Sequence, residues 1–283
     1  MHKKSPVLGG CRTDAVYGDM AVNTGSDRGA TVSRELNTST NTTTSADANT
    51  ASFGPYAVLG RLGGGMQGET FLAAAPHGPR VVVKVAHTGY SKDRRAMDDE
   101  VCAFRTVGRV FAPAVLDYRP DGERPYFVME YLDGETVDEL LAGGPLDETE
   151  TRRLATRLAG LLYALHQAGV AHGDFRGQNL IVARGGLYAV DFGCARLRAD
   201  SAREFRRRRQ ADLLWLGVLI ARAGTGCSPF GDDWGKAIED YHDGKLNLGS
   251  MSGAPRTVAR ALLSNRAGRR PAAQAVHTAL LRV

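Results

Sequence analysis

Two short stretches carry residues whose types and spacing could do chemistry on a phosphate. In Leu62-Gly63-Gly64-Gly65-Met66-Gln67-Gly68, the glycines 63, 65 and 68 have G-x-G-x-x-G spacing. Glycines let backbone N–H groups approach phosphate oxygens with no Cβ in the way. Sixteen residues beyond Gly68, Val82-Val83-Lys84-Val85 embeds a lysine among β-branched residues, where an ammonium is costly unless an anion meets it. Glu100 is a suitable partner. Each feature also has a plain structural reading: a flexible hairpin for the glycines, and a lysine snorkelling from a strand end for Lys84.

The elements that position these residues are legible from periodicity. The glycine stretch lies between YAVLGRL and ETFLAA, both strand-like, so it is a strand-turn-strand and not the strand-to-helix turn of a dinucleotide fold. RVVVKVA follows as a third strand, and an antiparallel sheet is expected. Residues 92–107 place Met97, Glu100, Val101 and Phe104 on one helical face, with a single carboxylate among the inward residues. Residues 125–132 return to strand character. Beyond Asp133-Gly134 the period is mostly helical. Asp147 and Glu150 give an acidic helix start, and Thr151, Leu154, Leu158, Leu161, Leu162 and Leu165 form a stripe ending near Gly169. Residues 179–185 and 186–193 read as a hairpin, and 212–224, 234–241, 255–264 and 271–281 as helices. The expected organisation is a leader over 1–52, a small β-rich lobe over 53–131 and a larger helical lobe over 132–283.

Composition narrows the classes. The chain has 283 residues, 43% hydrophobic and 24% charged, as in ordinary globular proteins. From Thr31 to Ser52, 14 of 22 positions are Ser, Thr or Asn, with too little apolar surface to offset ordering entropy, so the leader is expected to be unfolded. The run Leu213 to Ala221 is about half of what a bilayer span needs, so no transmembrane segment is expected. Cys11, Cys102, Cys194 and Cys227 stand apart as free thiols, with neither a disulfide framework nor a zinc site indicated. The net charge of +5 is matched by one segment, Arg196 to Arg209, which holds seven arginines against Asp200 and Glu204. A generally basic nucleic-acid surface is therefore not expected.

Specificity comes from His172-Gly173-Asp174-Phe175-Arg176-Gly177-Gln178-Asn179 and from Asp191-Phe192-Gly193. Taken in order with the glycine loop, Lys84 and Glu100, they resemble the signature set of the eukaryotic-type Ser/Thr protein kinases. Asp212 within ADLLWLGV and Arg270-Pro271 near the end resemble two distal motifs of that family. The resemblance covers about residues 54–283 and implies an α+β, bilobal kinase-like fold. By resemblance, Leu62, Gly63, Gly65 and Gly68 would cover ATP, and Lys84, held by Glu100, would bind its α and β phosphates. Asp191 and Asn179 would hold Mg²⁺. Asp174 would orient the acceptor hydroxyl, with Arg176 near the γ-phosphate. Met129 would back the adenine pocket, and Glu130 to Leu132 would form the hinge. The ribose partner would be Glu135 or Asp138.

The sequence also departs from that family. Gly173 replaces the arginine with which many kinases read a phosphorylated activation loop, so switching by loop phosphorylation is not expected. Arg176 replaces a lysine, keeping the charge but offering a planar fork. Only 21 positions separate Asp191 from Asp212 and no A-P-E motif appears, so Arg270 is expected to lack its usual glutamate, with Glu204 a poorly placed substitute. Arg206 to Arg209 fill the shortened segment, read either as a solvated basic loop or as a site for an acidic or phosphorylated partner. Cys194 is read as a small packed side chain near the nucleotide pocket. The H-G-D form also resembles antibiotic and choline phosphotransferases. The short segment and the Ser/Thr/Asn-rich leader resemble bacterial effector kinases, implying synthesis in a bacterial cytoplasm and secretion into a host cell to act on a host protein. A pseudokinase binding module is the remaining alternative.

Overall fold

The computed structural model describes residues 51–65, 68–87, 90–231 and 233–282. The expected leader, but for its last two residues, and Met66 and Gln67 of the glycine stretch lie outside them. Six strands make one sheet: β1 (Ser52–Phe53), β2 (Tyr56–Gly65), β3 (Gly68–Ala74), β4 (Arg80–Val85), β5 (Val115–Arg119) and β6 (Tyr126–Glu130), in the order β1-β2-β3-β4-β6-β5. Every pairing is antiparallel, as expected. Val81, Val83 and Val85 alternate along β4 and pack with Ala73 and Val128, under Phe53, Phe71 and Tyr126. Period-2 alternation sends Val82 and Lys84 to the other face. There lies α1 (Ser91–Val107), which buries Met97, Glu100, Val101 and Phe104 on its inward face. The edge strand β5 was not anticipated, because Val115-Leu116-Asp117-Tyr118-Arg119 is half exposed and carries charges along an unpaired edge.

The second lobe is built on helices. β7 (Gly134–Thr136) leads into α2 (Val137–Leu141), which is closed by a capping box between Thr136 and Glu139. The long helix α3 (Glu148–Gln167) starts where the acidic signature predicts, the Asp147 carboxylate accepting from the Glu150 N–H, and buries the expected leucine stripe. β9 (Leu180–Ala183) and β10 (Gly186–Ala189) form the expected hairpin, joined by β7. β8 (Val170–Ala171) pairs with β11 (Arg196–Leu197) just after Asp191-Phe192-Gly193. The remaining helices are α4 (Ala202–Thr225), α5 (Trp234–Asp243), α6 (Gly253–Leu262) and α7 (Ala273–Leu281).

One expectation needs correcting. The helix expected from residue 212 begins ten residues earlier, at Ala202, so Arg206 to Arg209 are helical and not a loop. The Ser201 hydroxyl caps it by accepting the Glu204 N–H at 3.2 Å. Phe205, Arg208, Asp212 and Leu216 then fall at i, i+3, i+7 and i+11 on one buried face. The smaller shifts at α6 and α7 follow local chemistry: Pro255 sits inside the first turn of α6, where a missing N–H costs nothing, and α7 begins only after Pro271.

Candidate active site

Lys84 sits at the centre of the site. It is 7% exposed, and its Nζ donates to Glu100 Oε1 at 2.7 Å and to Asp191 Oδ1 at 2.8 Å. Three separate elements therefore meet on one ammonium. Burial opposes the Lys84 charge, but the two carboxylates outweigh it and hold its pKa above the ordinary lysine value. Burial raises the Glu100 carboxyl, with Lys84 offsetting only part of the shift. Asp191 meets some desolvation too, yet Lys84 draws it below the usual carboxylate range. Its side chain is 50% exposed on the open side of the site. Asp191 takes φ +59, a left-handed conformation uncommon for a residue with a Cβ.

A column of rings fixes the segment that carries Asp191. Phe192 packs against Phe104 of α1 and against His172, each at 4.8 Å between centroids, and Phe104 meets Phe127 of β6 at 5.7 Å. Beneath it the fully buried Asp212 carboxylate accepts the N–H groups of His172 at 3.0 Å and Gly173 at 2.7 Å, and meets His166 Nε2 at 3.0 Å. A buried carboxylate is tolerated when it is saturated in this way, and α4 thereby holds the backbone leading into Asp174.

Asp174 is occupied on both oxygens. Arg176 grips it with Nε at 2.5 Å and Nη2 at 2.7 Å, while Asn179 Nδ2 donates to Asp174 Oδ2 at 2.8 Å and to its carbonyl at 3.0 Å. The planar fork of arginine makes this two-point grip, which a lysine could not. The Arg176 guanidinium also lies 5.9 Å from the ring centre of Trp215 on α4.

The glycines divide into two kinds. Gly68 has φ +151 and a Cβ there would collide with the Val85 carbonyl, so the hairpin itself requires it. At Gly63 and Gly65 a Cβ would meet nothing within 4 Å, so the fold's packing does not require them and the space beside them is open to a ligand. Leu62 is 49% exposed beside them. Met129 is buried on β6, and Leu132 is half buried just beyond it. The Glu130 side chain is committed to the Ala114 N–H at 3.0 Å and to Arg109, and its own N–H to the Ala114 carbonyl at 3.0 Å. Of the two acidic candidates near the hinge, Asp138 is paired with Arg222 and pressed against Gly177, while Glu135 is exposed on β7.

The protein kinase domain family matches residues 56–210, more than half of the sequence. The chain belongs to this family. It is similar to the probable serine/threonine-protein kinase PkwA of Thermomonospora curvata, 32% identical over an alignment of 200 residues that covers 62% of this chain and 27% of that protein. It is also similar to the serine/threonine-protein kinase AfsK of Streptomyces griseus, 31% identical over 201 residues, 62% of this chain and 25% of that one. A third relative is PknD of Mycobacterium tuberculosis, 34% identical over 157 residues, 52% and 23% of the two chains. The chain spans about a quarter of the length of these curated relatives.

Against the kinase pattern, two sequence expectations change. Glu204 does not stand in as the partner of Arg270; it pairs with Arg207 at 2.9 Å, one turn along α4. Arg270 is buried and is held by the carbonyls of Ser264 and Gln210 and by the Tyr241 hydroxyl. Nor do the four consecutive arginines form one patch. Arg208 turns inward, Arg207 takes Glu204, and Arg206 is left exposed beside the half-exposed Arg209 and, one turn back, the exposed Arg203. The inward turn of Arg208 was missed by the sequence reading, although extending the helical stripe backwards from Asp212 through residues 208 and 205 would have found it.

The oxygen chemistry of Asp191 and Asn179 suits a hard divalent cation. Asp191 offers Oδ2 and Asn179 its amide oxygen, the ligand type Mg²⁺ takes. Among the described residues no group of three or more His, Cys, Asp and Glu side chains is disposed as a metal cage. Two protein oxygens completed by substrate phosphates fit that arrangement. No helix among the described residues is long and apolar enough to cross a membrane.

Proposed function

We propose that this chain transfers the γ-phosphoryl group of ATP, with Mg²⁺, to a serine or threonine hydroxyl of a protein. The observation that carries this reading is the convergence of Glu100 and Asp191 on Lys84, with Asp174 and Asn179 hydrogen-bonded to each other on the catalytic loop. Asp191 and Asn179 would hold Mg²⁺, which when bound would supply neutralisation of the charge that develops in a loose transition state. Lys84 binds and orients the α and β phosphates, and Glu100 keeps it pointed at them. Gly63 and Gly65 leave room for the phosphates under β2. Asp174 orients the acceptor hydroxyl and takes up its proton as the new O–P bond forms and the bond to the departing ADP oxygen breaks. For that, Arg176 must release one Asp174 oxygen, and the γ-phosphate is the anion that draws it away.

A protein acceptor is favoured over a small molecule because the relatives found are named as serine/threonine-protein kinases and because the H-G-D form has a local packing cause. Gly173 has φ +80, and a Cβ there would collide with the Cys194 carbonyl. The glycine is then no mark of an antibiotic or choline kinase. A narrower form of the proposal, a kinase exported to act inside a host cell, has the composition of the leader and the short activation segment in its support. The test is transfer from γ-labelled ATP with Mg²⁺, comparing the chain with Asp191→Ala and Asp174→Asn. Label in discrete protein bands that vanishes with either change is expected; label confined to small hydroxyl compounds, or none, overturns the reading.

A further inference from the structure

Gly173 and Arg208 fit one another beside the catalytic loop. A Cβ on Gly173 would lie 3.0 Å from the Cys194 carbonyl carbon and 3.2 Å from Cδ of Arg208, as well as striking the Cys194 oxygen. The stretch after Asp191-Phe192-Gly193 therefore crosses the backbone of Gly173 in contact, and the stem of Arg208 fills the same small space from α4. Arg208 is 9% exposed, rare burial for an arginine, on a helix whose Arg203 and Arg206 face water. On the same face Asp212 takes the Gly173 N–H, and Phe205 packs edge-on to His166 at 6.3 Å and under Arg198 at 4.6 Å. Between Asp191 and α4 the sequence offers a single hydroxyl, Ser201, and its Oγ is engaged as the helix cap. Gly173, for its part, has no side chain with which to read a phosphate.

We propose that Arg208 is a positioning residue. Wedged beside Gly173, it holds the Cys194 stretch against the catalytic loop and so supplies, from within the chain, the brace that phosphorylation-switched kinases obtain from a phosphate and the arginine before the catalytic aspartate. The rate readout of this proposal rests on the phosphotransfer reading; its structural readout does not.

The experiment uses the full chain and three variants. Arg208→Ala removes stem and charge, Arg208→Met keeps an unbranched stem, and Val218→Ala trims a buried position of the same helix beyond Asp212. Amide hydrogen exchange over 193–199, kcat and KM for ATP in transfer to a generic acceptor, and melting temperature are measured on each. Arg208→Ala is expected to speed exchange over 193–199 by about tenfold or more, with Arg208→Met between it and the unaltered chain. Its kcat is expected to fall about tenfold while KM for ATP stays within about twofold. Val218→Ala is expected to lower the melting temperature with neither change. Unaltered exchange over 193–199 in Arg208→Ala overturns the proposal, as does equal loosening in Val218→Ala. Should the alanine variant not fold, the methionine variant decides by the same readouts. If the unaltered chain transfers phosphate to no acceptor, the phosphotransfer reading falls and the exchange data alone decide the role of Arg208.

Discussion

At the scale of single residues, the site is governed by how each charge is met. Lys84 and Asp191 are both stabilised as ions, whereas burial leaves Glu100 easier to protonate than an ordinary glutamate. The sign follows directly: with a folded-state pKa raised by burial, Glu100 takes up a proton as pH falls through that raised value, and Lys84 then loses one of its two anions. The acid limb of kcat/KM for ATP is therefore expected to lie above the ordinary glutamate range. Glu100→Gln is expected to abolish that limb at a reduced rate, and a limb unchanged in Glu100→Gln would assign it elsewhere. Gly177 gives a second test. A Cβ there would collide with the Asp138 carboxylate and lie 3.0 Å from the Asp138 nitrogen, so Gly177→Ala is expected to cost about 1–3 kcal/mol. Adding Asp138→Ala should recover part of the loss by opening the space, as read from denaturant midpoints in a double-mutant cycle.

At the scale of elements, α4 does more than its sequence suggests. Its first turns carry the arginines, its middle carries Asp212 beneath the catalytic loop, and its later turns form the core of the helical lobe through Leu213, Leu216 and Ile220. The cap at Ser201 starts this helix early enough for Phe205 and Arg208 to reach the loop. Ser201→Ala is expected to lower stability by about 1 kcal/mol, measured from the shift in denaturant midpoint. Treatment of the unaltered chain with a phosphatase is expected to leave its transfer rate unchanged, because the only segment hydroxyl is already a cap. A rate that collapses on dephosphorylation would show that a phosphate braces the segment after all. The longer strands behave more simply: their hydrophobic alternation was readable, whereas β5, with its charged edge, and the two- and three-residue strands β1, β7, β8 and β11 escaped the pattern.

At the scale of the whole molecule, the charge excess is divided by the fold. Of the seven arginines between residues 196 and 209, Arg198 lies over the Phe205 ring and donates to the His166 carbonyl, Arg207 binds Glu204, and Arg208 is buried. Arg196 donates to the Ala195 carbonyl at 2.6 Å, which leaves Arg203, Arg206 and Arg209 as the surface to test for an acidic or phosphorylated protein partner. Charge reversal at Arg203 and Arg206 is expected to leave melting temperature and transfer to a generic acceptor unchanged. Binding to such a partner should weaken, with a flatter salt dependence, in a titration at two ionic strengths. Equal affinity before and after the reversal would remove the patch as a docking site.

The sequence by itself determined which residues could do chemistry and in what order they come: the glycine spacing, Lys84 in a β-branched strand, Glu100 on an inward helix face, Asp174 and Asn179, and Asp191. Lys84 and Glu100 are local signals, set by periods of 2 and 3.6 that a strand or helix imposes on its own residues, whereas Asp174, Asn179 and Asp191 were legible through the resemblance of their motifs to the protein-kinase signature. The tertiary structure alone decided which charges are spent on one another. Lys84 and Asp191 are 107 positions apart and Asp138 and Arg222 are 84 apart, and no local period links either pair. Whether an arginine in a run of four faces water or a glycine depends on the helix start and on what packs beside it. Arg208 turns inward to a place 3.2 Å from where a Cβ on Gly173 would lie, a contact between two elements that is invisible in either alone.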